Sequence, residues 1–408
     1  MKVSVREKDG LLRELEVELE GPRVRAVFDE VCSDIQKNAT LSGFRRGNVP
    51  MWVLKARFRE RIKEEVGKKL ADMTLSDALR EGGLVPAADV FLNDIELSGE
   101  DRLLYKVSFE VLPKFELADV SSIEIKQKKV EFSEELLNKR IEELRMEKCV
   151  FEPSEEELKE GYMAIIEYRV EDVETAEVVE GETSGIVGKK VFRKEVEDVL
   201  IGKKEGEDAS IDEIEVFDVY GRLSGKAKVS LKIKGVKKPI LPEIGDDFAK
   251  ELGLGESWEE ALEKIKDNLI KELEELNKSM AKDALIEELL KLHQFELPQT
   301  LVRRELSAMV QRSLEELSYM GVDPKLVSVE EIAKDLLPKA QLSVKLGLIL
   351  DAYAKSFGLS VSEEELRSLT QGREGLSEAL LSTLRASILR EKALEKMLSM
   401  VKLSEEAG

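Results

Sequence analysis

The sequence predicts a multidomain α+β protein: an N-terminal α+β domain, a β-rich module and a mainly α-helical C-terminal region. Three observations lead there. The chain has 408 residues, more than one hydrophobic core usually holds, so two to four domains are expected. Apolar residues alternate with period two in two separate regions, then recur at helical spacing from about residue 240 onward. Aromatic residues make up 5% of the chain and charged residues 37%, which suits helices with small aliphatic cores better than a large β-sandwich.

Residues 2–7 and 12–19 alternate around Asp9-Gly10, a hairpin signal. Val24, Val27, Phe28, Val31 and Ile35 then follow at helical spacing. After a loop, Pro50 opens a second helix, in which Leu54, Phe58, Ile62 and Val66 form one apolar row. Two strand patterns, 90–97 and 102–111, end at Pro113 and complete an α+β domain over 1–113. Residues 114–131 read as an extended, charged linker, and Ser133 caps a helix from Glu134 to about Lys148, so 114–150 is assigned as linker and helix packing with the C-terminal domain.

The β-rich module spans 151–238, with strands "MAIIEYRV", "SGIV", "ASIDEIEVF" and "KAKVSLKIKGV" and a short helix near 195–201. From 239 to 408 the pattern is helical. Ser257 with Glu260, Ser328 with Glu331 and Ser362 with Glu365 are capping boxes. Pro298 opens a helix lasting to Met320, closed by Gly321, and Pro338 is expected to kink the helix that holds it.

Charge narrows the function classes. The net charge of −21 argues against general nucleic-acid binding. Between Lys37 and Lys69, however, ten Lys/Arg face three Glu. That local reversal contains Lys55, Arg59 and Lys63 in one row and Arg57 and Arg61 in another. No apolar run approaches the roughly eighteen residues a membrane helix needs, so no membrane partner and a cytoplasmic location are expected. Cys32 and Cys149 show no paired framework. His293 is the single histidine, so no histidine cluster for a metal or a triad can form, and a structural place near a helix end is expected. No phosphate-binding or dinucleotide loop is present, so no cofactor is expected.

Inside the basic island lies "GFRRGNVP", residues 43–50. Gly43 and Gly47 permit a tight tip. Phe44, Arg45 and Arg46 cannot all point inward from so short a loop. Two readings stand side by side: Phe44 caps its own domain's core, or the tip docks onto an anionic, partly apolar surface such as an RNA–protein junction.

These eight residues are similar to the Gly-Phe-Arg-x-Gly-x-x-Pro signature of the trigger factor family, bacterial ribosome-associated chaperones. Gly43, Phe44, Arg45, Gly47 and Pro50 fill the fixed positions, and Arg46 the variable one between them. The domain order resembles the family over essentially the whole chain. The resemblance implies that residues 43–47 dock beside the ribosomal exit tunnel, on ribosomal protein and rRNA. It implies an ATP-independent chaperone, partly ribosome-bound, whose C-terminal helices form arm-like projections around a cradle for nascent and unfolded polypeptides.

The β-rich module resembles an FKBP-type peptidyl-prolyl isomerase domain, through the "GKKEGE" turn at 202–207 and the loop and helix "VGKKVFRKEVEDVLIG". The resemblance implies a pocket that twists a prolyl amide among aromatic rings; Tyr168, Ile186, Val196, Tyr220 and Val229 are its candidate residues. Arg193-Lys194-Glu195-Val196 stands where the family has Ile-Pro-Gly and a ring, and Val229 where phenylalanine is common. "ETAEVVEGETSG" is shortened where a flap would lie. A shallow, weakly active pocket and a retained peptide-binding spacer both fit.

For the helical region, Leu306, Met309 and Met320 are client-binding candidates, with Met280, Met397 and Met400 as further flexible apolar positions. Helical stripes of this kind equally describe ordinary core. Two other functions stay open: a prolyl isomerase whose helices only recruit substrate, and a ribosome-independent assembly factor holding folded or half-folded proteins, ribosomal proteins included. A weak homodimer is compatible with either.

Overall fold

The computed structural model describes residues 1–405 except 43, 128, 174–175, 218–222, 320–326 and 370–376. They fall into two compact units, one of residues 1–127 and 281 onward, the other of 128–280.

The first unit opens with β1 (Lys2–Glu7) and β2 (Leu12–Glu20), the hairpin that Asp9-Gly10 calls for, with Gly10 at φ +58°. Helices α1 (Pro22–Asn38), α2 (Met51–Arg57) and α3 (Arg59–Glu81) follow, then β3 (Phe91–Ser98) and β4 (Arg102–Glu110). The antiparallel sheet has the order β1-β2-β4-β3. Leu15 pairs with Val107 and Val17 with Tyr105, and all four are buried. That face packs against Val24, Val27, Phe28, Val31, Cys32 and Ile35 of α1 and Ile62, Val66 and Leu70 of α3. Period two on the strands and 3.6 on the helices point one apolar side of each inward. The Tyr105 hydroxyl, caught in this core, is satisfied by Thr74 Oγ1 at 2.9 Å.

One expectation is corrected here. The apolar row Leu54, Phe58, Ile62, Val66 does not lie on a single uninterrupted helix. Phe58, at φ −111° and ψ 26°, leaves helical geometry and divides α2 from α3. The break lets the ring of Phe58 pack against the same core as Leu54 while remaining only partly buried.

Residues 114–127 are not a solvated tether. Val120, Ile123 and Ile125 are buried in a second core with Leu285, Leu289, Ile349, Leu350, Tyr353, Ala393, Leu394 and Met397. Within it β5 (Glu124–Gln127) pairs in parallel with the last strand of the chain, Lys402–Glu405, Ile125 facing Leu403. His293 is buried there. The Ala118 N–H donates to its Nε2 (3.2 Å) and its Nδ1 lies 2.8 Å from the Leu289 carbonyl. Nδ1 therefore carries the proton, and the ring serves as a structural pin.

The second unit carries α4 (Glu134–Glu147), capped by Ser133 Oγ accepting from the Leu136 N–H at 3.2 Å. Then come β6 (Val150–Pro153), β7 (Met163–Asp172), β8 (Val178–Ile186), α5 (Lys194–Leu200), β9 (Asp208–Phe217) and β10 (Leu223–Ile240). Their sheet runs β6-β10-β7-β8, with β9 also on β10. Strand β8 is far longer than the "SGIV" read from the sequence. It forms an unbroken ladder with β7 from Val178 to Ile186.

The helices after the sheet are α6 (Asp246–Leu252), α7 (Trp258–Leu292), α8 (Gln299–Tyr319), α9 (Val329–Ser356), α10 (Glu363–Leu369) and α11 (Glu378–Leu398), before the closing strand β11 (Lys402–Glu405). The capping box at Ser362 is complete. Its N–H donates to Glu365 Oε2 (2.8 Å), while the Glu365 N–H returns a bond to Ser362 Oγ (3.3 Å). Trp258 pins the start of α7 by stacking on Phe248, centroids 5.9 Å apart. Helix α9 holds Pro338 in its interior and continues on both sides of it. The predicted end of α8 at Met320 and Gly321 lies outside the described residues.

Candidate functional site

The tip between α1 and α2 is held at its base and open at its end. Val49 is fully buried, and its carbonyl accepts from Gln36 Nε2 at 2.7 Å. Two tight turns make the bend: the Phe44 N–H donates to the Leu41 carbonyl (3.0 Å) and the Asn48 N–H to the Arg45 carbonyl (2.9 Å). Gly47 sits at φ +84°, a conformation that a side chain disfavours. Pro50, without an N–H to satisfy, immediately precedes α2 as its N-cap.

On this rigid base Phe44 is 40% exposed, and Arg45 and Arg46 are exposed beside it. Arg46 donates to Asn38 Oδ1 at 3.3 Å. Neither arginine makes an ion pair among the described residues. Gly43 lies outside the described residues.

The basic rows beyond the tip divide into two groups. Lys55 is paired with Glu100 at 2.6 Å, Arg61 with Glu65 at 2.8 Å, Lys69 with Glu30 at 2.7 Å and Lys63 with Glu60 at 3.8 Å. The hydrogen bond from Lys55 holds the Glu100 carboxyl below its ordinary pKa, against the upward push of burial. Arg57, Arg59 and Lys68 are exposed and unpaired among the described residues.

Sequence reasoning missed Trp52, which is 76% exposed in the first turn of α2. The signal was present. Met51, Val53 and Leu54 supply the inward side of α2, and position 52 falls off that stripe.

The second unit holds a cavity of about 600 Å³, lined by Ile166, Tyr168, Val170, Thr183, Phe192, Arg193, Val196, Ile214, Val229 and Leu231. Tyr168, Val196 and Val229 of the predicted set are on its wall. Ile186 is not. It pairs with Met163, so alternation along β7 and β8 turns it to the face opposite Ile166 and Thr183. Tyr220 lies outside the described residues. Phe192 supplies a ring that the motif comparison did not locate, because it precedes Arg193-Lys194-Glu195-Val196 rather than replacing part of it.

In the helical region Leu306 and Met309 are half-buried on α8, and Met320 is outside the described residues. Met397 is fully buried, which removes it from any client-facing surface. Met280 and Met400 are exposed, as are Leu337 and Leu342 on α9 and Tyr319 at the end of α8. Among the described residues no group of acidic, cysteine and histidine side chains could hold a metal ion. No described helix is long and apolar enough to cross a membrane.

Comparison with known proteins decides the family. The N-terminal model of bacterial trigger factor protein matches residues 1–144, and its C-terminal model matches residues 257–372. The trigger factor of Aquifex aeolicus is 38% identical over 412 residues, covering 97% of this chain and 86% of the relative. The chain belongs to the trigger factor family. It is thereby a ribosome-associated chaperone.

The trigger factor of Geotalea daltonii is 26% identical, over 99% of this chain and 98% of its own. A solved trigger factor chaperone, described for promiscuous substrate recognition in folding and assembly, superimposes with a TM-score of 0.51 at 24% identity, covering 98% of this chain and 99% of its own. That likeness concerns the fold. The family's multidomain plan therefore matches the sheet-and-helix unit, the β-rich module and the C-terminal helices seen here.

Proposed function

We propose that this trigger factor docks at the ribosomal exit tunnel through the tip formed by Gly43, Phe44, Arg45, Arg46, Gly47 and Pro50, and there receives emerging chains. The observation that carries this is the exposure of Phe44 and both arginines on a base fixed by Val49, Gln36 and Gly47. An exposed ring flanked by unpaired guanidinium groups suits a surface of ribosomal protein and rRNA, since guanidinium forks match phosphates and aromatic rings seek apolar contact. The protein would act in the cytoplasm, partly ribosome-bound.

Nascent and unfolded chains would be held by apolar residues of the C-terminal helices. Leu306 and Met309 remain candidates, with Met320, and the exposed Leu337 and Leu342 of α9 extend them. Apolar side chains set among charges accept many sequences weakly. Folded ribosomal proteins fit the same surface, which is the route by which the protein would act as an assembly factor.

The cavity in the β-rich module supports a second activity, prolyl cis–trans isomerisation. The barrier is about 18–20 kcal/mol because the amide has partial double-bond character, and an apolar cleft lowers it by favouring the twisted, less polar amide. Only Tyr168 and Phe192 supply rings among the described wall residues. Catalysis is therefore assigned as slow.

Replacing Phe44, Arg45 and Arg46 together with alanine tests the docking reading. Co-sedimentation with ribosomes should vanish while thermal unfolding stays unchanged. Undiminished co-sedimentation would refute it.

A further inference from the structure

The exposed indole of Trp52 has no role in the tip signature, yet it stands immediately after it. Pro50 caps α2, and Trp52 occupies the first turn. Leu54 is fully buried, and Met51 and Val53 pack on the same core. With three of the first four residues facing inward, Trp52 is left on the outward side at 76% exposure. Tryptophan is the side chain with most to gain from a partner, and no described residue provides one.

The charges around it point to the kind of partner. Arg57 closes α2, the helix that carries Trp52, and Arg59 follows just past Phe58. At the break the Phe58 N–H donates the last bond of α2, to the Leu54 carbonyl (2.9 Å), and the Phe58 carbonyl accepts the first bond of α3, from the Ile62 N–H (2.8 Å). Arg59 is the first residue of α3, directly beyond that break. It is exposed and makes no ion pair among the described residues. Arg45 and Arg46 flank the other end of the segment, from the tip. Acids neutralise several lysines of this island but leave these arginines unpaired. An exposed π-surface in a stretch of chain rich in unpaired guanidinium groups is how proteins hold single-stranded nucleic acid: the ring stacks on a base and the cations meet the adjoining phosphates.

We infer that Trp52 is a stacking platform for an unpaired base of ribosomal RNA, with Arg59 and Arg45 on the flanking phosphates. This rests on the ribosome-docking reading and adds to it a contact outside the tip. The partner is RNA rather than ribosomal protein because the surroundings are cationic and the exposed side chain is planar, where an aliphatic protein pocket would call for neither.

The experiment uses the full-length chain. Trp52 and Trp258 are its two tryptophans, so Trp258→Phe leaves Trp52 as the sole indole. Adding large ribosomal subunits should quench its emission, as base stacking does. In binding titrations Trp52→Phe should keep affinity within about threefold. Trp52→Leu and Trp52→Ala should each lose between about fivefold and a hundredfold, the range of base–aromatic stacking. The slope of affinity against salt should stay the same in all three, since no phosphate contact is removed. Wild-type affinity in Trp52→Leu would mean an aliphatic protein contact and would overturn the inference. So would wild-type affinity in Trp52→Ala while the Phe44/Arg45/Arg46 alanine variant fails to bind; docking would then stand without the indole. Full binding by that triple variant would remove the docking reading itself, and this inference with it.

Discussion

Glu110, at the end of β4, caps a helix that begins 189 residues later: its carboxylate accepts from the Gln299 N–H at 2.9 Å and from the Thr300 N–H at 2.6 Å. The Thr300 hydroxyl adds a third bond. The start of α8 thus obtains its negative cap from the N-terminal sheet rather than from a neighbouring residue, because Pro298 precedes it and offers no side-chain acceptor. Burial pushes the Glu110 pKa up, but the bonds from Thr300 and Gln299, with Arg303 nearby, outweigh it and the net shift is downward. A carboxyl lowered on folding contributes stability that is fully present above its unfolded value, ordinarily near 4.5, and is lost as pH falls through the folded value. Glu110→Gln should cost about 1–2 kcal/mol at neutral pH, speed amide exchange at Thr300 and flatten the acid limb of thermal unfolding. An acid limb identical to wild type would contradict the assignment.

Gly67 lies on α3 where β3 crosses. A Cβ there would meet Ile95 Cγ2 at 2.4 Å and Cδ1 at 2.7 Å. Alanine gains about 1 kcal/mol of helix propensity, but overpacking costs about 1–3 kcal/mol. Gly67→Ala should therefore lower the melting temperature, and adding Ile95→Ala should recover much of the loss. Calorimetry of the two single variants and the double variant measures this.

In the β-rich cavity the wall ring of Tyr168 lies over Gly181, where a Cβ would stand 2.6 Å from the hydroxyl and 2.7 Å from Cζ. Gly181→Ala should displace the ring, and Phe192→Ala should remove the other. Both should reduce a slow protease-coupled prolyl isomerase rate to that of buffer. A rate unaffected by either change would place the activity elsewhere.

On α9, Leu337→Ser with Leu342→Ser should weaken suppression of aggregation of a denatured client severalfold, read by light scattering. Both side chains are exposed, so unfolding should shift by no more than about 0.5 kcal/mol for each. Equal suppression by the double variant would direct attention to Leu306 and Met309.

Glu365 offers a direct titration. The hydrogen bond from Lys392, then those within the box from Ser362, hold its pKa at about 2. Its contribution is thus present above the ordinary carboxylate value and disappears only as pH approaches about 2. Carboxyl carbon shifts should show this, and Lys392→Met should move the midpoint upward.

Much of this architecture was legible because its causes are local. Asp9-Gly10 dictates a hairpin, and Ser133 and Ser362 with Glu365 dictate helix starts, each through bonds between near neighbours. What escaped depends on partners far along the chain. Val120, Ile123 and Ile125 stand among polar and charged residues and read as an extended linker, so which helices bury them is known only from the core itself. Ile186 was assigned to the cavity because its face depends on register with Met163. The break at Phe58 arises from packing that periodicity does not encode. At the tip, the signature located Phe44 and its neighbours, whereas Trp52 belongs to no signature and is found by its exposure alone.

The pairing of Ile125 with Leu403 also orders events during synthesis. Translation adds about 5–20 residues per second, so residues 124–127 wait roughly ten seconds or more for their strand partner at 402–405. Throughout that interval the apolar side chains of 120–125 have emerged while their enclosing helices are still being made. A protein that shields unfinished chains must thus pass through the same unprotected stage before it can shield any other.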